Sequence, residues 1–180
     1  MKEVRSKLAP FSGLHLTPYA WLHMTALIAG PANQISDQQV QQMATTTSRR
    51  LATISPITVT VGKILFHPEA IMLAVRPAEA LLPVLEAAQE ATQEVTGSSG
   101  RSGNKLPWAP HITIAHSTTQ QPAEPIITAI GRSLSERNAQ ISTITLVNQH
   151  GPNLAGTGTP KRPSGSELHR DPFERVDRLP

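Results

Sequence analysis

Apolar and polar positions alternate along the chain with two periods, one helical and one strand-like, and they divide it into a short series of elements. Met1 to Leu8 reads as a short helix stopped by Pro10 and Gly13. Trp21 to Ile28 reads as a strand ended by Gly30-Pro31. Ser36 is placed to cap a helix, with Asp37 in its first turn facing the positive end of the dipole, and the helix runs to about Ala52. Ile57 to Leu65 alternates and is rich in β-branched residues, so it predicts a strand, and Ala70 to Val75 is an apolar run of strand length. Pro77 is expected to open the next helix, whose apolar face of Leu81, Leu82, Val84, Leu85 and Ala88 extends to about Val95. Gly97 to Lys105 reads as a connecting loop; it lacks the Gly-Lys-Ser/Thr ending of a nucleotide-binding loop and is expected to be a plain mobile connector. Pro110 to His116 predicts a strand, Pro125 to Leu134 a helix, and Ile141 to Val147 a strand.

From Gly151 onward the periodicity stops. The segment is dense in Gly, Pro, Ser and charge, so 151–180 is expected to be a disordered tail and 1–150 a single domain. The size fits that division, since 180 residues can bury one proper core. No apolar stretch is long enough to span a bilayer, and the run from Tyr19 to Ala32 is interrupted by His23. Absence of cysteine excludes disulfides and thiolate chemistry and suits a reducing compartment, so a cytoplasmic monomer is expected. The net charge of +3 is spread without a basic block, which argues against a duplex nucleic-acid footprint. An anionic small molecule or a single RNA end remains compatible.

The elements repeat. A strand carrying Trp21, His23 and Thr25 leads through a loop and helix to the strand at Ile57, 34 residues after His23. A strand carrying Trp108, His111 and Thr113 leads through a loop and helix to Ile141, 30 residues after His111. Two such β-α-β units predict a two-lobed α+β molecule with an approximate two-fold axis. By this symmetry one strand is missing at the start and one at the end.

Side chains on a strand alternate faces, so the His and Thr of each His-x-Thr share a face while Met24 and Ile112 turn away. One such pair would be an ordinary core histidine; two at matching places in a repeat would meet across the axis. One neutral imidazole could then act as base and one protonated imidazole as acid on a phosphodiester, with the threonine hydroxyls donating to the non-bridging oxygens. A third match, His15-Leu16-Thr17, lies between Gly13 and Pro18, has no counterpart in the second copy, and is expected to be incidental. His116, five residues past His111, is expected on the opposite face of a regular strand, and His67 beside Pro68 in a turn. Neither motif offers three ligands at zinc spacing, so no metal site is expected.

With these residues in hand, Trp21-Leu-His23-Met-Thr25 and Trp108-Ala-Pro-His111-Ile-Thr113-Ile, together with Ile71-Met-Leu-Ala-Val-Arg-Pro77 between them, the chain resembles the 2H phosphoesterase superfamily. The likeness is to its bacterial 2′-5′ RNA ligase-like (LigT-like) branch and covers roughly residues 1–148. It implies a bilobal fold with antiparallel sheets lining a central cleft, and cofactor-free action on RNA ends or 2′,3′-cyclic phosphates, or reversible 2′-5′ joining. It also implies that His23 and His111 are the catalytic pair, with Thr25 and Thr113 as phosphate ligands. Members of the family begin and end with strands that this chain lacks by the reading above. The alternative is therefore a catalytically weak or inactive relic that binds RNA or nucleotides.

Overall fold

The computed structural model describes residues 2–101 and 108–149, and the backbone of 173–179. Helix α1 (Lys2–Leu8) leads to the short strand β1 (Leu14–Leu16), and helix α2 (Asp37–Leu51) to strands β2 (Ile57–His67) and β3 (Ala70–Arg76). Helix α3 (Leu82–Thr96), strand β4 (His111–Ser117), helix α4 (Glu124–Ile130) and strands β5 (Ser133–Ile141) and β6 (Ile144–Gln149) follow, and β7 (Phe173–Leu179) comes last. The first five strands form one fully antiparallel sheet in the order β1-β4-β3-β2-β5. β6 and β7 form a separate antiparallel pair.

Two apolar clusters correspond to the two expected lobes. In the first, Val4 and Leu8 of α1 and Ile126 and Ile130 of α4 cover Ile64, Ile71, Leu73, Ile114 and Ala115 of the sheet. The i, i+4 spacing within each short helix supplies a single apolar stripe, enough to face the sheet and no more. The second cluster gathers Val59, Val75 and Leu81, with Met24, Trp108 and Ile112 packed against them. Beside it α2 and α3 lie against each other, burying Met43 and Ala44 against an alanine-rich face of Ala87, Ala88 and Ala91. Small residues let the two helices approach closely, and Arg50 spans the gap to Glu90 and Glu94. At the start of α2 the Ser36 hydroxyl accepts from the Gln39 amide while the Gln39 side chain accepts from the Ser36 amide, a complete capping box.

Several expectations are corrected. Trp21–Ile28 is not a regular strand. It begins in a 3-10 turn (Tyr19–Trp21) and meets the rest of the molecule through isolated bridges, Met24 to Ile112 and Ile28 to Arg101. The edge beside β4 is already held by β1, so the Pro18–Leu22 segment must loop outward before Met24 can rejoin it. The proline that opens α3 is Pro83, not Pro77, which follows a cis bond at the end of β3. Helix α4 ends at Gly131, whose φ of 74° favours glycine, and the polar stretch Ser133–Ile141 is strand β5 on the free edge of β2. The element that follows the helix in the second repeat is therefore β5. Ile141 pairs directly with Ile57, and the strand expected over Ile141–Val147 starts only at Ile144. The connector after α3 is anchored where it is described: Arg101 exchanges two 2.8 Å backbone hydrogen bonds with Ile28.

The expected tail falls mostly on 150–172, outside the described residues. The closing strand expected to be missing is present in β7, which pairs with β6 from Ile144↔Leu179 to Gln149↔Phe173.

Candidate functional site

Met24 and Ile112, the middle residues of the two His-x-Thr motifs, are bridge partners in antiparallel sense. Both turn into the second apolar cluster. By strand alternation His23, Thr25, His111 and Thr113 take the other side. The antiparallel sense sets His23 beside Thr113 and Thr25 beside His111, so each histidine neighbours the threonine of the opposite motif. His23 and Thr25 are exposed, His111 and Thr113 half-buried.

The two histidines share a local hydrogen bond that the sequence pattern did not disclose. His23 Nδ1 lies 2.7 Å from the Trp21 carbonyl, and His111 Nδ1 lies 2.7 Å from the Ala109 carbonyl. A carbonyl oxygen only accepts, so each Nδ1 carries its proton and donates. In the neutral ring the lone pair is then on Nε2, the nitrogen that a substrate proton would meet. Each ring is fixed by the carbonyl two residues before it, and the two local geometries match. No residue pattern shared by the two motifs marks this bond, which is a matter of backbone angles.

A hollow lies beside the first motif. A cavity of about 370 Å³ is lined by Trp21, Met24, Met43, Leu81, Trp108 and Ile141, among others, and reaches His23 and Thr25. His111 and Thr113 do not line it. It is thus an apolar space behind the motif, between the sheet and α2 and α3, rather than the meeting place of the four polar side chains.

Strand β4 departs from regularity where sequence reasoning assumed none. Ile71 pairs with Ala115 but Met72 pairs with Thr113, so Ile114 is one residue extra, a β-bulge. Ile114 and Ala115 both enter the first apolar cluster, and the alternation is reset. The expectation that His116 faces away from His111 is corrected: His116 returns to the face of His111 and Thr113. It lies opposite His15 of β1, a strand not expected at this place. Burial, and then the nearby charges of His15 and His23, hold the His116 imidazole below its ordinary titration range. Among the described residues no three His, Asp or Glu side chains are grouped to hold a metal ion.

The fold is shared with solved structures at low identity. TT0787 of Thermus thermophilus superposes with a TM-score of 0.62 at 17% identity, covering 99% of this chain and 87% of the other. A protein described as a phosphoesterase gives 0.64 at 14% identity, covering 99% and 91%. Escherichia coli LigT, crystallised with ATP, gives 0.58 at 13% identity, covering 99% and 90%. No curated protein matches the sequence. No helix among the described residues is long and apolar enough to cross a membrane. The model of the 2′-5′ RNA ligase superfamily matches residues 2–153, and with that match the chain belongs to the 2′-5′ RNA ligase superfamily.

Proposed function

We propose that the protein is a metal-independent phosphoesterase acting on RNA ends or 2′,3′-cyclic phosphates, with His23 and His111 as its acid–base pair and Thr25 and Thr113 as its phosphate ligands. The observation that carries this reading is the Met24–Ile112 bridge, which sets the two motifs side by side in opposite directions. The matching Nδ1 hydrogen bonds supply the second requirement, two imidazoles of fixed tautomer. In hydrolysis, a water attacks phosphorus and passes a proton to Nε2 of one neutral histidine. The bond from phosphorus to one ribose oxygen breaks, and that oxygen takes a proton from the other, protonated histidine. The threonine hydroxyls donate to the non-bridging oxygens as charge builds there. With the 5′-hydroxyl of a second RNA end in place of water, the same transfers open the cyclic phosphate, release the 3′-hydroxyl and leave a 2′-5′ linkage; run backwards, they cleave that linkage and reform the cyclic phosphate. Cytoplasmic location and a monomeric state belong to the same proposal, as does a catalytic domain of residues 1–150 to which β7 adds a closing strand.

The test is turnover of a nucleoside 2′,3′-cyclic phosphate in the presence of a chelator. Hydrolysis by the wild type that is lost in both His23→Ala and His111→Ala is the expected result. Full activity in both variants would place the chemistry elsewhere, and turnover abolished by chelator alone would remove the metal-independent mechanism.

A further inference from the structure

The bulge at Ile114 assembles polar groups beyond the four that the acid–base chemistry uses. Across the sheet, His15 of β1 lies opposite His116 of β4, and His116 lies opposite Ala70 of β3, which lies opposite His67 of β2. Directly opposed residues share a face, so three imidazoles and one small residue form a row on the side that carries His111 and Thr113. Leu14 and Leu16 pack into the first cluster, which leaves His15 to the other face, where it is exposed. Ala70 leaves a notch between His116 and His67. The Glu69 amide donates to His67 Nδ1, so in the neutral ring the His67 Nε2 bears the proton.

Two orphaned polar atoms border this row. Thr17 is only 7% exposed, and its hydroxyl has no hydrogen-bond partner. It extends β1 by one step, its amide donating to the Ile114 carbonyl, and so follows His15 on the same face. Gln121 Nε2 is likewise buried without a partner, and its amide group lies against Gly13, where a β-carbon would come within 2.7 Å of it. Leaving such groups unpaired carries a desolvation cost that a ligand oxygen would relieve. All of these side chains can donate hydrogen bonds. The charged residues on the adjoining elements are Lys2, Glu3, Arg5 and Lys7 of α1, Lys63 of β2, Glu69 at the β2–β3 turn, Arg76 of β3 and Glu124 of α4. Glu3 is taken up by Lys7 at 2.9 Å, and Arg5 holds the Thr17 carbonyl and the face of Tyr19.

We propose that His15 and His116, flanked by Thr17, Gln121 and His67, form a second anion subsite that takes a further phosphate group of the substrate. This rests on the acid–base reading of His23 and His111 and deepens it. Thr113 and His116 lie opposite Met72 and Ala70, two residues apart on β3, so they stand about 7 Å apart along the strand, a span of the order of one nucleotide. The ligand class is a nucleotide that carries a phosphate beyond the reacting one. Burial, and then the neighbouring His15 and His23, favour the neutral form of His116, and a bound anion would favour its protonated form.

The experiment compares binding of adenosine 3′,5′-bisphosphate and adenosine 3′-monophosphate by calorimetry. Wild type is expected to favour the bisphosphate by tenfold or more, the scale of one charge-assisted hydrogen bond. In His15→Gln/His116→Gln that ratio is expected to fall to within about twofold, while His116→Arg, which keeps a cation in place, preserves it. An equal preference in wild type and the double variant would overturn the subsite, as would no preference in wild type. If neither nucleotide binds, inorganic phosphate is titrated while the imidazole proton resonances are followed. Movement at His15 and His116 with none at His23 and His111 would uphold the subsite and sink the acid–base reading; no movement at His15 and His116 would overturn the subsite. Loss of turnover in His23→Ala with the bisphosphate preference intact would separate the two roles. Circular dichroism of each variant guards against simple misfolding.

Discussion

Met24 and Ile112 sit opposite each other in a single antiparallel bridge, and each is flanked on both sides in sequence by one histidine and one threonine. The apolar pair is anchored in the core, and this packing holds the four polar neighbours on the other side.

Removing either imidazole is expected to be severe because acid and base act in the same turnover. His23→Ala and His111→Ala should each lower kcat by about 10²–10⁴-fold with a smaller change in KM, and the double variant should fall well short of the product of the two. Steady-state kinetics on a 2′,3′-cyclic nucleotide measures this; a multiplicative double variant would mean that the two residues act in separate steps.

The threonines are expected to matter as donors and not for their shape. Thr25→Val and Thr113→Val keep the volume and lose the hydroxyl, and each should reduce kcat by about 10²–10³-fold. Thr→Ser at either position should retain most of the rate. Equal losses in Ser and Val would point to packing instead.

The protein is expected to lose stability toward acid in part through His116. Its folded-state titration lies below the ordinary value of 6.5, so the unfolded chain binds the proton more readily. The contribution is present above about pH 6.5 and is lost as pH falls through the lower folded-state range. Thermal unfolding followed from neutral to mildly acid pH should show a shallower decline in His116→Gln than in wild type. Parallel declines would remove His116 as a source of the acid sensitivity.

Ile114 is 2% exposed in the first apolar cluster and is the extra residue of the bulge. Ile114→Ala should cost about 2–5 kcal/mol of stability in chemical denaturation. A cost under 1 kcal/mol would show that this cluster collapses around the gap and that β4 does not depend on it.

Much of the fold was legible where one face of an element is buried and the other is not. α2 declared itself through Ser36, Asp37 and the Met43 stripe, and β2 through its β-branched alternation. β5 did not, because Ser133 to Ile141 is an edge strand exposed for almost all its length, with nothing to bury and hence no apolar signal. The two motifs were legible as local patterns with a repeat between them. The placement of His116 on the face of His111, opposite His15, was not, since it depends on a bulge, and a bulge leaves no mark in composition or period. Trp21–Ile28 has the apolar content of a strand but lies where β1 already occupies the edge, and tertiary competition decided its shape.

The extra residue at Ile114 gives β4 two phases. Upstream of it, odd positions face the site; downstream, even ones do. Straightened at its present length, β4 would run in a single phase, and whichever half was then turned inward would carry its histidine into the core. At a spacing of five residues His111 and His116 share one surface only while the strand keeps its bulge, and at a spacing of four they would share it without one, so a homologous or engineered sequence must keep or lose the bulge and the extra residue together.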